Sequence, residues 1–132
     1  MNPLLEGKVA VVTGGSSGIG RAAALAFARE GAHVAIGARR QTEGEETARM
    51  VREAGGQAVF VQTDVSHTKQ VQRLIQAAVE RWGRLDCAFN NAGIEGDSFV
   101  STADYSEATW DKIIAINLTG VFLSMKYEFQ QC

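Results

Sequence analysis

The 132-residue chain has the length of one domain, and with 45% hydrophobic residues and a single proline it has the material for one compact core. A formal net charge of −2 supplies no positive field of the kind that draws nucleic acid or an anionic membrane, so the expected partner is a small molecule. Cys87 and Cys132 stand without a CxxC pair or a histidine cluster, which argues against a metal site and leaves no need for a disulfide framework. No apolar run near the first residue is long enough for a signal peptide and no window reaches transmembrane length, so a cytoplasmic location is the expectation.

In chain order, the first apolar run is Val9 to Val12, followed by a glycine-rich segment and a helix from about Ile19 to Glu30. That helix carries Ala22, Ala23, Ala26 and Phe27 as its expected apolar face and stops at Gly31. Further runs follow at Val34 to Ile36, Ala58 to Val61 and Leu85 to Phe89, at intervals that leave room for one crossover helix each. Consecutive rather than alternating apolar residues predict strands covered on both faces, hence a parallel α/β sheet in βαβαβαβ order. The helix before the fourth strand is the clearest: Val71, Leu74, Ile75, Ala78, Val79 and Trp82 share a face, with Ser66 as expected N-cap and Gly83 as stop. A last helix starts near Ser106, with Trp110, Ile113, Ile114, Val121 and Met125 as its apolar stripe. No repeat, low-complexity segment or linker divides the chain, so residues 1–132 are expected to form one domain.

Between the first strand and first helix lies Thr13-Gly14-Gly15-Ser16-Ser17-Gly18-Ile19-Gly20. Bare backbone N–H groups at the positive end of a helix suit phosphate oxygens, and side chains at Gly14, Gly18 or Gly20 would block their approach. Ser16 and Ser17 add hydroxyl donors. The plainer alternative is a tight turn whose glycines only satisfy positive φ angles. A Walker A loop is excluded, because Arg21 and Ala22 stand where it needs lysine and a hydroxyl. A receiver-type module is disfavoured by the lack of carboxylates after the first strand.

With Thr13-Gly14-x-x-x-Gly18-x-Gly20 on the first turn, Asp64-Val65 after the third strand and Asn90-Asn91-Ala92-Gly93 after the fourth, the chain resembles the short-chain dehydrogenase/reductase family over essentially all of its length. The resemblance implies a Rossmann-type doubly wound parallel sheet in the order 3-2-1-4, incomplete as it stands, with a dinucleotide across the carboxyl ends of the first and fourth strands. It implies that Gly14, Ser16, Ser17, Gly18, Ile19 and Gly20 hold the phosphates, that Asp64 and Val65 meet the adenine, and that Asn91, Ala92 and Gly93 shape the floor beneath the adenosine. Read from the residues alone, Asp64 also fits a carboxylate at a helix start, and Asn91 a turn residue beside a glycine.

At the end of the second strand, where an acid selecting NAD would stand, the chain has Ala38, followed by Arg39 and Arg40. Two guanidinium groups can meet a 2′-phosphate, so NADP is the expected cofactor, with NAD second; the alternative is two solvated arginines. Asn117 falls on the expected apolar stripe of the last helix, where a buried asparagine bonded to nearby backbone is the ordinary reading. By resemblance, Asn117 in Asn117-Leu118-Thr119-Gly120 is the first member of a catalytic tetrad and helps hold a water in a proton relay.

The family's serine and Tyr-x-x-x-Lys have no counterpart here: Tyr105 and Tyr127 are followed four residues on by Thr109 and Gln131. Lys126, adjacent to Tyr127, points about 100° away from it. The resemblance therefore implies the amino-terminal part of an oxidoreductase moving hydride between nicotinamide and a carbonyl or alcohol, inactive alone and a homodimer or homotetramer when whole. The competing reading is a nucleotide-binding or regulatory module without chemistry.

Overall fold

The computed structural model describes residues 2–132. Four strands, β1 (Val9–Thr13), β2 (His33–Ala38), β3 (Ala58–Gln62) and β4 (Cys87–Asn90), form one sheet in the order β3-β2-β1-β4. Every pairing is parallel, with Val11 opposite Ala35 on one side and Ala88 on the other. This is the doubly wound arrangement the motif order implied.

The central strand explains the two-sided core. Side chains of a strand alternate between faces, and β1 sends Ala10 and Val12 one way and Val9 and Val11 the other, all buried. Ala10 and Val12 join Val34 and Ile36 under Ala24 of α1 (Gly18–Arg29) and Ala48 and Val51 of α2 (Gln41–Glu53). Val9 and Val11 meet Val71, Leu74, Ile75 and Ala78 of α3 (Thr68–Trp82). A strand sealed on both faces has no polar position to alternate, hence its unbroken apolar run.

Several expectations about local structure need correction. On α1 the buried positions are Gly20 and Ala24, whereas Ala22 and Ala26 face solvent. α3 begins at Thr68 with His67 as N-cap, not Ser66, because Ser66 spends its hydroxyl on Asp64. Gly83 does terminate α3, at φ +78. Leu85 is buried ahead of β4 rather than within it, since Asp86 accepts the Val9 N–H at 2.9 Å and pairs with Arg84 before the ladder starts.

The last helical region is not one regular helix. α4 (Glu107–Ile114) passes through a π-helical turn, Ala115–Thr119, into α5 (Gly120–Phe129). One wide turn shifts the phase of every later residue, so the buried line is Ile116, Gly120, Ser124 and Glu128. Trp110 and Met125, expected on the stripe, are exposed, and so is Asn117. Among the described residues no helix is long and apolar enough to cross a membrane.

Candidate functional site at the carboxyl ends of the strands

The carboxyl ends of β1 and β4 are tied together by their own side chains. The Thr13 hydroxyl accepts the Ala92 N–H at 3.1 Å, and the Asn91 amide donates to the Gly14 carbonyl at 3.2 Å. Gly14, at φ +67, is so close to β4 that a Cβ there would lie 2.9 Å from the Ala92 Cα. A Cβ on Gly20 would overlap the Gly14 carbonyl oxygen. These two glycines are therefore required by contacts within the protein, where the sequence suggested clearance for a ligand. Gly18 differs: its φ of +54 favours glycine, and the space beside it is open.

α1 starts at Gly18, and the Ser17 side chain makes no cap bond to its N–H groups. Its hydroxyl instead accepts from Arg40 Nη2 at 2.9 Å, with Ser16 Oγ at 3.4 Å from the same nitrogen. The first turn of α1 keeps the partial positive charge of a helix N-terminus and carries no acidic residue to neutralise it.

A crevice of about 330 Å³ opens over this turn. Its walls bring together Gly14, Ser16, Ser17, Arg39, Arg40, Asp64, Val65, Asn91, Ala92 and Gly93, residues drawn from four separate segments of the chain. Gly18, Ile19 and Gly20 are not among its walls, and the Ile19 side chain is exposed. Ala38 lines the crevice at the end of β2 and brings no carboxylate. Arg39 and Arg40 are both exposed, the Arg39 carbonyl accepting from Gln62 Nε2 at 3.0 Å.

Asp64 serves two surroundings at once. Partial burial works against its charge, but the Ser66 hydroxyl and N–H, at 2.6 and 2.9 Å, with His67 and Arg39 nearby, outweigh that and hold its carboxyl below the ordinary value. It is thus a charged turn former ahead of α3 as well as a wall of the crevice. Asn117 does not line the crevice. Its Oδ1 accepts the Ile94 N–H at 2.8 Å and its Nδ2 donates to the Ile94 carbonyl at 2.9 Å, and Ile94 is a wall residue.

The sequence reading missed the polar residues that hold this frame. Thr13 was quoted only as the start of the glycine turn, and its hydroxyl, buried at the end of β1, was given no role although such a group needs a partner. Thr47 is fully buried in α2 and donates to the Gly15 carbonyl at 2.7 Å. Glu128 is buried on α5 and accepts from Asn90 at 2.9 Å.

The short chain dehydrogenase family profile matches residues 8–131. The chain belongs to the short-chain dehydrogenase/reductase family. It is 45% identical over 128 residues to "Short chain dehydrogenase/reductase astE" of Aspergillus oryzae, covering 96% of this chain and 49% of that protein. A Serratia marcescens short-chain dehydrogenase/reductase superposes with a TM-score of 0.90 at 33% identity, covering 96% of this chain and 51% of the other. A 3-ketoacyl-ACP reductase of Sinorhizobium meliloti gives a TM-score of 0.89 at 41% identity, with coverages of 93% and 48%. This short-chain dehydrogenase/reductase chain thus spans about half the length of the relatives it matches.

Proposed function

We propose that the chain forms the cofactor-binding part of an oxidoreductase that moves hydride between NADP and a carbonyl or alcohol substrate. One observation carries the cofactor choice: Arg40 reaches across the crevice to the Ser17 hydroxyl, Arg39 stands beside it, and the end of β2 holds Ala38 in place of an acid. A carboxylate there would repel a 2′-phosphate and bind a ribose diol; two guanidinium groups do the reverse. The residues fit a dinucleotide, with hydroxyls and a helix N-terminus for the phosphates and Asp64 and Val65 for the adenine.

The nicotinamide, when bound, supplies the hydride donor or acceptor. The chain's own residues bind and orient. Gly14, Ser16, Ser17, Gly18, Ile19 and Gly20 cradle the phosphates, and Asn91, Ala92 and Gly93 form the floor. Asn117 is assigned to the proton relay: with one N–H and one lone pair of its amide taken by Ile94, its second N–H is available to a water. The exposed Trp110, Leu118, Phe122, Met125 and Phe129 on α4, the π turn and α5 support a homodimer or homotetramer through this face.

Titration with NADP and NAD tests the cofactor reading. NADP binds more tightly, and Arg39→Ala reduces the difference by about tenfold, the loss of one charge-assisted contact. An unchanged preference in that variant overturns it.

A further inference from the structure

Arg21, which rules out a Walker A loop, has another task in the fold. Its Nε donates to Thr47 Oγ1 at 2.9 Å and its Nη2 to the Glu43 carbonyl at 3.0 Å. Thr47 is fully buried, and its single hydroxyl proton has two carbonyls in reach, Gly15 at 2.7 Å and Glu43 at 3.3 Å. The nearer one takes it. A guanidinium on the acceptor side of that hydroxyl polarises it and strengthens the bond to Gly15.

Gly15 is thereby held from both sides, its N–H donating to the Gly37 carbonyl of β2 at 3.3 Å and its carbonyl accepting from α2. One and two residues further on are Ser16 and Ser17, which receive Arg40; Arg40 is the N-cap of α2, and its carbonyl accepts the Gly44 N–H. The circuit is closed: Gly15, the serines, Arg40, the first turns of α2, then Thr47, which takes a bond from Arg21, back to Gly15. Neither Thr47 nor Arg21 borders the crevice.

We propose that Thr47 and Arg21 are positioning residues that hold the start of α2 against the glycine turn, so that Arg40 stands where a 2′-phosphate arrives. Thr47 then sets the NADP preference without touching the cofactor. The inference rests on the cofactor reading above. It also separates Thr47 from a merely structural residue: loss of general packing weakens both dinucleotides alike, whereas a displaced Arg40 weakens chiefly the one with a phosphate on the ribose.

The test is equilibrium titration of purified protein with NADP and with NAD, beside the melting temperature without cofactor, for wild type, Thr47→Val, Thr47→Ser and Arg21→Gln. Thr47→Val keeps the shape and removes the hydroxyl; it should weaken NADP about tenfold and leave NAD within about twofold. Thr47→Ser should restore the wild-type ratio. Should Thr47→Val fold poorly, the half-exposed Arg21→Gln should show the same selective loss. Equal weakening of both dinucleotides, or an undisturbed ratio, overturns the proposal while leaving the cofactor reading intact. Wild-type protein with no preference for NADP overturns both.

Discussion

Asn90, the last residue of β4, donates its side-chain amide to the carboxylate of Glu128 on α5 at 2.9 Å, in a place where Glu128 is 2% exposed. Neither Glu128 Oε2 nor Asn90 Oδ1, both buried, has a hydrogen-bond partner among the described residues. Burial pushes the Glu128 carboxyl up from an ordinary 4.5 to about 7, against the opposing effect of the Asn90 bond. With Oε2 buried and without a partner, the neutral, protonated form of the carboxyl is favoured.

That relationship fixes a pH dependence. Below about pH 4.5 the carboxyl is neutral folded and unfolded, and its burial carries no charge penalty. As pH rises from there to about 7 the unfolded chain releases the proton while the folded one keeps it, so stability declines, by about 3 kcal/mol in total. Glu128→Gln keeps the size of the side chain and cannot ionise, so its melting temperature should change much less between pH 5 and pH 8. An equal decline in both proteins would show that other groups govern it.

Asn117→Ala removes both bonds to Ile94. Because Asn117 is exposed, the loss of stability should be small, about 1 kcal/mol. Locally the effect should be larger: in hydrogen exchange, protection of the Ile94 amide should fall while β1 amides keep theirs. Unchanged protection at Ile94 would remove Asn117 from the account of this wall of the crevice.

What could be read from the sequence divides by chemistry. β1 and α3 were legible because burial on two faces or one leaves an apolar run or a 3.6-residue period. The glycine turn was legible as a motif joining strand to helix, and Asn91 only through the family resemblance of Asn90-Asn91-Ala92-Gly93. The helical stretch after Ser106 was misread because a π turn at Ala115–Thr119 breaks the period and because the side it buries includes Gly120, Ser124 and Glu128, which carry no apolar signal. Thr47 was invisible for a related reason: its importance lies in a contact with Gly15, 32 residues away, that no local pattern records. Gly14 and Gly20 were expected to leave room for a ligand, yet the neighbour a Cβ there would meet is the protein's own backbone.

The 132-residue polypeptide alone should show no dehydrogenase turnover. Neither Tyr105 nor Tyr127 has a lysine four residues on, and positioned acid–base help contributes roughly a hundred- to ten-thousand-fold to such a step. Asn117 offers a hydrogen bond but no titratable proton at neutral pH. An assay of mass-verified polypeptide against a panel of ketones with NADPH checks this, and turnover matching a whole family member would place the chemistry elsewhere.

The central claim is that the crevice over the glycine turn receives a dinucleotide with its 2′-phosphate on the arginines after β2. A crystal structure of the protein with NADP tests it most directly. The account predicts the 2′-phosphate within hydrogen-bond distance of Arg39 or Arg40, the pyrophosphate over the first turn of α1, and the adenine between Arg39 and Asp64-Val65. A cofactor bound with its 2′-phosphate in solvent, or outside the cleft between the ends of β1 and β4, would contradict it.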